Sequence, residues 1–236
     1  MSGVLNMRVI PKESQANTRF IPRIGLSILV IAAMLFFSSG RIDWVMAWIF
    51  LGTCAIHSAV MLLFADPELL EERTKDHKDA KKWDLVLVFV IAMLGPVCLL
   101  VMAGLDARLG WSPPISLGVQ IAGAVLSTLG ILITDWAVLT NRFFSSVIRI
   151  QRERGHTVVT SGPYEVVRHP GYVGVVVHNL GLPLMLGSLW ALLPAALVIA
   201  AVVVRTAVED ATLQEELYGY KGYVLRVRYR LLPYVW

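Results

Sequence analysis

Charge is absent from half of this chain, and that half falls into long blocks. Residues 24–40, 44–65, 85–105, 109–134 and 173–204 contain no Asp, Glu, Lys or Arg. A bilayer core about 30 Å thick takes about 20 apolar residues of helix, since a helix pairs its own backbone polar groups where lipid offers them nothing. Four spans fit these blocks, at 24–40, 44–65, 85–105 and 115–134. Over the 236 residues only 16% are charged, against about 25% in an ordinary soluble domain. A disordered chain, a disulfide scaffold and a soluble enzyme are excluded on that ground. The expected fold is all-α, a multi-pass transmembrane helical bundle of four spans plus a C-terminal helical hairpin, with no Rossmann domain. It divides into the spans, 1–134, and a motif-rich half, 135–236.

Arg19 and Arg23 give the first block a basic flank, but no small-residue cleavage pattern follows, so it reads as a retained span rather than a signal peptide. Of the 21 lysines and arginines, 19 fall in 1–23, 66–84, 135–172 and 205–236. If connections alternate sides and 173–204 goes in and returns, all 19 share one side. The positive-inside rule makes that side cytoplasmic and places the N-terminus there. The net charge of +4 therefore sets topology, and nucleic acid is not implied.

Several features read as structural. Cys54 and Cys98 lie in apolar blocks as small buried hydrophobes, without disulfide or metal spacing. Trp44, Trp48, Trp83, Trp111 and Trp136 sit near span ends, as interface anchors do. His57 suits a helix-packing donor, and Asp135 marks the end of the fourth span. Asp66-Pro67-Glu68 is a helix start, with Asp as cap and Pro at the first helical position. Leu69 and Leu70 are expected on the membrane. Glu71/Lys75 and Lys78/Lys82 have i,i+4 spacing, and the loop reads as a solvated, lipid-facing surface.

The block 173–204 would be about 48 Å long as one straight helix, too long for one upright span. Broken near Pro183–Ser188 it gives two shorter arms with Gly187-Ser188 at the tip. A hairpin puts the segments before and after it side by side on one membrane face. Two polar clusters then meet. The first is His156-Thr157-Val158-Val159, Gly162-Pro163-Tyr164 and Arg168-His169-Pro170-Gly171-Tyr172; the second is Arg205, Glu209, Asp210 and Glu215/Glu216. Pro170 keeps His169 out of the helical region. Arg, His and two Tyr are expensive to seat against lipid without a use. Arg205 and Glu209 share a helix face, either as an intrahelical salt bridge or as separate grips for an anionic and a cationic group. His178 and Asn179, on the first arm, suit cross-helix hydrogen bonds or a place in the pocket lining. No glycine-rich nucleotide loop, Walker lysine or zinc-protease motif is present.

The run from His156 to Gly174, with Arg205, Glu209-Asp210, Leu213 and Tyr218-Gly219-Tyr220, resembles the C-terminal half of the isoprenylcysteine carboxyl methyltransferase family, which is related to phospholipid N-methyltransferases. The likeness covers Asn141 to Pro233. It implies an integral membrane enzyme using S-adenosylmethionine, with 135–236 as its cofactor-binding catalytic half. On this resemblance His156, Thr157, Val158, Val159, Tyr164, His169, Pro170, Gly171, Tyr172 and Glu209 hold the cofactor. Arg205 orients the substrate's carboxylate, and Arg205 and Glu209 form the catalytic pair; no metal is implied. The family's paired glutamates are Glu209-Asp210 here, and Arg149 replaces a cofactor-binding Gln. The implied partners are a lipophilic or lipidated substrate and membrane lipids. A carboxylate acceptor is ionised at pH 7 and needs no base, so alignment carries the rate and an arginine fork suits it. An amine or thiol acceptor would need a base, with His169 or Glu209 nearest. A nicotinamide-dependent sterol-type reductase and a non-catalytic scaffold are the alternatives from other classes.

Overall fold

A computed structural model of the chain describes residues 12–74 and 81–236. The pairs proposed for Lys75 and Lys78 lie outside the described residues. Within them the architecture is all-helical: α1 (Lys12–Ser39), α2 (Val45–Phe64), α3 (Pro67–Thr74), α4 (Lys82–Phe89), α5 (Gly95–Leu109), α6 (Leu117–Thr140), α7 (Pro170–Met185), α8 (Leu192–Glu216) and α9 (Tyr220–Arg226). A π-helical turn, Val90–Leu94, joins α4 to α5 as one continuous helix. Its cause is local. Pro96 has no N–H to give to the preceding turn, and the ladder is reset there.

Five helices are long and apolar enough to cross a bilayer: Phe20–Ser39, Val45–Phe64, Lys82–Leu109, Leu117–Thr140 and Leu192–Glu216. Their outward faces leave Leu29, Phe37, Ile56, Leu63, Val86 and Leu132 exposed, which suits lipid. This is an integral multi-pass membrane protein. The spans run several residues past the uncharged blocks, because a helix continues through its polar ends. Asp135 consequently sits inside α6 and meets His57 Nδ1 of α2 at 2.8 Å, so His57 does bridge two helices.

The hairpin forms, with unequal arms. α7 has 16 residues, about 24 Å of helix and short of a full crossing, whereas α8 has 25. Gly187 turns the chain with φ +73, a conformation that L side chains rarely adopt. Behind the tip, Asp106 accepts from Ser112 N at 2.7 Å, Ser112 Oγ at 2.5 Å and Ser188 Oγ at 2.5 Å. This carboxylate pins the hairpin tip to the α5–α6 connection. α7 also lies antiparallel against α6 in backbone contact. A Cβ on Gly130 would fall 2.3 Å from His178 N, and one on Gly181 2.4 Å from Ser127 N, so only small residues allow that approach.

The apolar core at the end holding the hairpin tip gathers Leu35, Trp44, Phe50, Leu99, Met185 and Ala195 from five helices. Trp44 is thus buried, while Trp48, Trp83, Trp111 and Trp136 keep exposed positions. Cys98 is exposed on the outer face of α5, against the expectation of burial. α3 also differs from its reading. Glu68 N donates to Asp66 Oδ1 at 2.8 Å, as the helix start requires. Leu69, however, is buried with Met61, Ala65 and Val138, with Leu70 packed against them. Glu72 is buried and meets Arg149 at 2.7 Å. An ion pair draws α3 inward where sequence spacing suggested a free surface.

Candidate functional site

The N-terminal end of α7, the C-terminal half of α8, α9 and the loop segments 141–149 and 156–159 line a cleft of about 870 Å³, counted with the solvent space at its mouth. Its walls include His156, Thr157, Val158, Val159, Tyr164, His169, Gly171, Tyr172, Arg205 and Glu209. Every candidate residue except Pro170 is therefore on the wall. Pro170 is buried at the first position of α7, where its fixed φ starts the helix. His178 and Asn179 lie elsewhere: His178 Nδ1 is 2.9 Å from Ser127 Oγ, and Asn179 Nδ2 donates to Val175 O.

One wall presents a carboxylate. Tyr172 OH donates to Glu209 Oε2 at 2.5 Å, and the Tyr172 ring lies stacked 5.9 Å from that of His169. One turn before Glu209 on α8 stands Arg205, its guanidinium 5.8 Å from the Tyr172 ring centre. Arg205 and Glu209 are four residues apart, yet Arg205 pairs with Asp84 of α4: Nε to Oδ1 is 2.8 Å and Nη2 to Oδ2 is 3.4 Å. Arg205 Nη2 also donates to Ser146 O at 2.8 Å, and Asp84 Oδ2 accepts from Ile148 N at 2.7 Å. Sequence reasoning missed Asp84. The available signal was that a buried arginine needs a buried anion, and Asp84 opens an apolar helix on the same side.

Behind the cleft Asp210 is fully buried and gathers positive and polar groups. Arg168 grips it at 2.7 and 3.0 Å, Arg230 at 3.0 Å, Gln214 at 2.8 Å, and His169 Nε2 lies 3.3 Å away. The C-terminal segment is strapped onto the histidine–proline turn, with Arg168 N donating to Tyr229 O and His169 N to Arg230 O. Adjacent acids thus have different tasks: Glu209 faces the cleft and Asp210 holds its back wall. Tyr220 OH donates to Asp210 Oδ1 at 3.1 Å; burial, then the neighbouring carboxylate, push this phenol's pKa up. Tyr164 is also pushed up by burial, and its hydroxyl accepts from Asn141 Nδ2 at 3.3 Å. Neither phenol is a base near neutrality.

His156 stacks on Phe143 with ring centres 4.5 Å apart, and its Nδ1 accepts from Gln151 N at 3.3 Å. Burial, then Arg149 and Arg154, lower its pKa to about 4. It is a neutral aromatic wall, not a proton shuttle. Arg149 also lines the cleft, with its charge met by Glu72 and Glu153.

Residues 119–221 match the phospholipid methyltransferase family, extending the expected likeness upstream through α6. Protein-S-isoprenylcysteine O-methyltransferase B of Arabidopsis thaliana is 37% identical over 65 residues, 27% of this chain and 33% of that protein. A probable protein-S-isoprenylcysteine O-methyltransferase of Oryza sativa subsp. indica is 41% identical over 69 residues, covering 29% and 36%. The cobalt-zinc-cadmium resistance protein CzcN of Cupriavidus metallidurans is 35% identical over 107 residues, covering 45% and 41%. The match with the two plant proteins spans about a third of their length. The matched region contains most of α6, the hairpin and much of the cleft lining, and over it the chain is similar to the phospholipid methyltransferase family and to isoprenylcysteine O-methyltransferases.

Proposed function

We propose that this protein is a membrane methyltransferase that uses S-adenosylmethionine and methylates a lipophilic acceptor, with a carboxylate as the favoured group. The observation that carries this reading is that Arg205 and Glu209, one turn apart on α8, both line one cleft. The cleft suits the cofactor's mixed chemistry: Glu209 offers an anion to its cationic groups, and His156, Tyr164, Tyr172 and Val158 offer apolar and aromatic surface. When bound, the cofactor supplies an activated methyl carbon. The chain's own task is then positional. Arg205 holds the acceptor's carboxylate, Tyr172 fixes Glu209, and the aromatic walls exclude water. Alignment of this kind supplies up to about 7–11 kcal/mol in the best cases.

The cleft is assigned to the cytosolic side, where 19 of 21 lysines and arginines gather under the alternating topology. The lipid tail of the acceptor approaches from the bilayer. An amine acceptor is the second reading, favoured by one observation: Asp84 already neutralises Arg205. In that case His169 or Glu209 takes the proton.

Calorimetry on the protein in nanodiscs tests the reading. S-adenosylhomocysteine should bind, and Glu209→Ala or His169→Ala should weaken it about tenfold. Binding of a reduced nicotinamide instead would support a reductase. Transfer of radiolabelled methyl to a prenylated cysteine, but not to phosphatidylethanolamine, separates carboxylate from amine acceptors.

A further inference from the structure

Arg205 carries five N–H donors in a planar fork. Nε and Nη2 are committed to Asp84 and Ser146. Nη1 has no hydrogen-bond partner among the described residues, and the one buried side-chain N or O atom without a hydrogen-bond partner among them is Asp135 Oδ1. Nη1 therefore reaches open space, and Arg205 lines the cleft.

We propose that Asp84 is a positioning residue for the acceptor: it takes one edge of the Arg205 guanidinium and leaves the Nη1 edge for the acceptor's anionic group. This rests on the carboxylate-acceptor reading above. Three further observations support it. Asp84 is fully buried, so the ion pair is desolvated and rigid. Its second oxygen holds Ile148 N, which fixes the 145–148 segment of the cleft wall to the same carboxylate. The helix carrying it contains the π turn Val90–Leu94 shortly after Asp84, and π turns often mark functional sites. A plain structural ion pair would not explain why a fork with five donors is left with a free edge on the cleft.

Two consequences follow for the chemistry. The acceptor meets a guanidinium whose charge is already balanced, so Nη1 orients the carboxylate more than it attracts it. Removing the Asp84 charge should then strengthen attraction and spoil orientation, which splits KM from kcat.

The test uses the full chain in nanodiscs with saturating S-adenosylmethionine and an S-prenylated N-acetylcysteine. Asp84→Asn should leave S-adenosylhomocysteine affinity within threefold, lower kcat at least 30-fold, and leave KM unchanged or lower. Asp84→Glu, which keeps the charge but displaces the fork by one methylene, should lose less, about three- to tenfold in kcat. Unchanged kcat, or kcat and cofactor affinity falling together, would overturn the proposal. If Asp84→Asn does not fold, Asp84→Glu carries the test on its own scale: kcat unchanged, or kcat and cofactor affinity falling together, would overturn the proposal. A wild type that binds S-adenosylhomocysteine but does not methylate the prenylated cysteine would overturn the carboxylate reading alone. Labelling of Arg205 by phenylglyoxal then decides the role of Asp84. It should be at least fivefold faster in Asp84→Asn than in wild type, and equal rates would refute it.

Discussion

Asp84 and Asp106 lie near opposite ends of one continuous helix, both buried, and they are neutralised in opposite ways. Asp106 is closed by a backbone amide and two serine hydroxyls. Each serine brings one O–H, which the carboxylate consumes, and nothing is left over. Asp84 is met by an arginine, whose five donors exceed what one carboxylate edge accepts. The first arrangement is a lock on the hairpin tip. The second is an open site, because the surplus donors face a cleft. The difference suggests a rule for separating a structural buried charge from the proposed functional one: count what its partner still has to give.

The largest expected effect comes from removing that surplus. Arg205→Ala should reduce methyl transfer at least 100-fold, about 2.7 kcal/mol of transition-state stabilisation, while S-adenosylhomocysteine affinity stays within threefold. Because it strands Asp84 without a counter-charge, it should also destabilise the fold by about 3–5 kcal/mol. Arg205→Lys separates the two effects. It keeps the charge and much of the stability, but a single ammonium cannot serve both Asp84 and an acceptor, so transfer should remain low. Thermal melting beside radiolabelled transfer measures both, and full activity in Arg205→Lys would collapse the distinction between the two ends.

A smaller effect is expected at the locked end. Asp106→Ala leaves Ser112 N–H, Ser112 O–H and Ser188 O–H without their acceptor, at a cost of about 2–3 kcal/mol given the penalty for stranded donors. Melting temperature should fall while cofactor affinity and KM stay unchanged. A shift in cofactor affinity would mean that the two ends are coupled through α5 and α7, and the comparison would need redrawing.

The sequence made the hairpin legible because Pro183 and Gly187-Ser188 interrupt an uncharged run too long for one span. It made the cleft wall legible because the motif residues are close along the chain, between 156 and 172, or share one helix face at 205 and 209. What it hid depends on register between distant helices. Asp84 and Arg205 are 121 positions apart, and their meeting depends on how α4 packs on α8, which spacing within either helix does not reveal. Glu72 and Arg149 are hidden for a related reason: the spacing within α3 says nothing of its inward face, which meets a loop residue 77 positions away. In the sequence Glu209 and Asp210 look like one acidic pair. Adjacent residues on a helix point about 100° apart, so one faces the cleft and the other the C-terminal strap.

The smallest expected effect concerns acid. His156 has an ordinary pKa of 6.5, lowered in the folded protein to about 4. A depressed histidine favours folding in its neutral form. Its contribution is present above pH 6.5 and is lost as pH falls from 6.5 toward 4, because the unfolded chain takes up the proton first. Protonation would also remove the Nδ1 acceptor for Gln151 N–H and place a third cation beside Arg149 and Arg154. His156→Phe keeps an aromatic stack on Phe143 but cannot titrate. Between pH 7.5 and 4.5, wild type should therefore lose more stability than His156→Phe, by about 1 kcal/mol or less after discounting for partial exposure to water. Paired melting curves measure the difference. Curves that stay parallel across that range would show that the ring titrates alike folded and unfolded, and that neither burial nor Arg149 and Arg154 holds it neutral in the cleft wall.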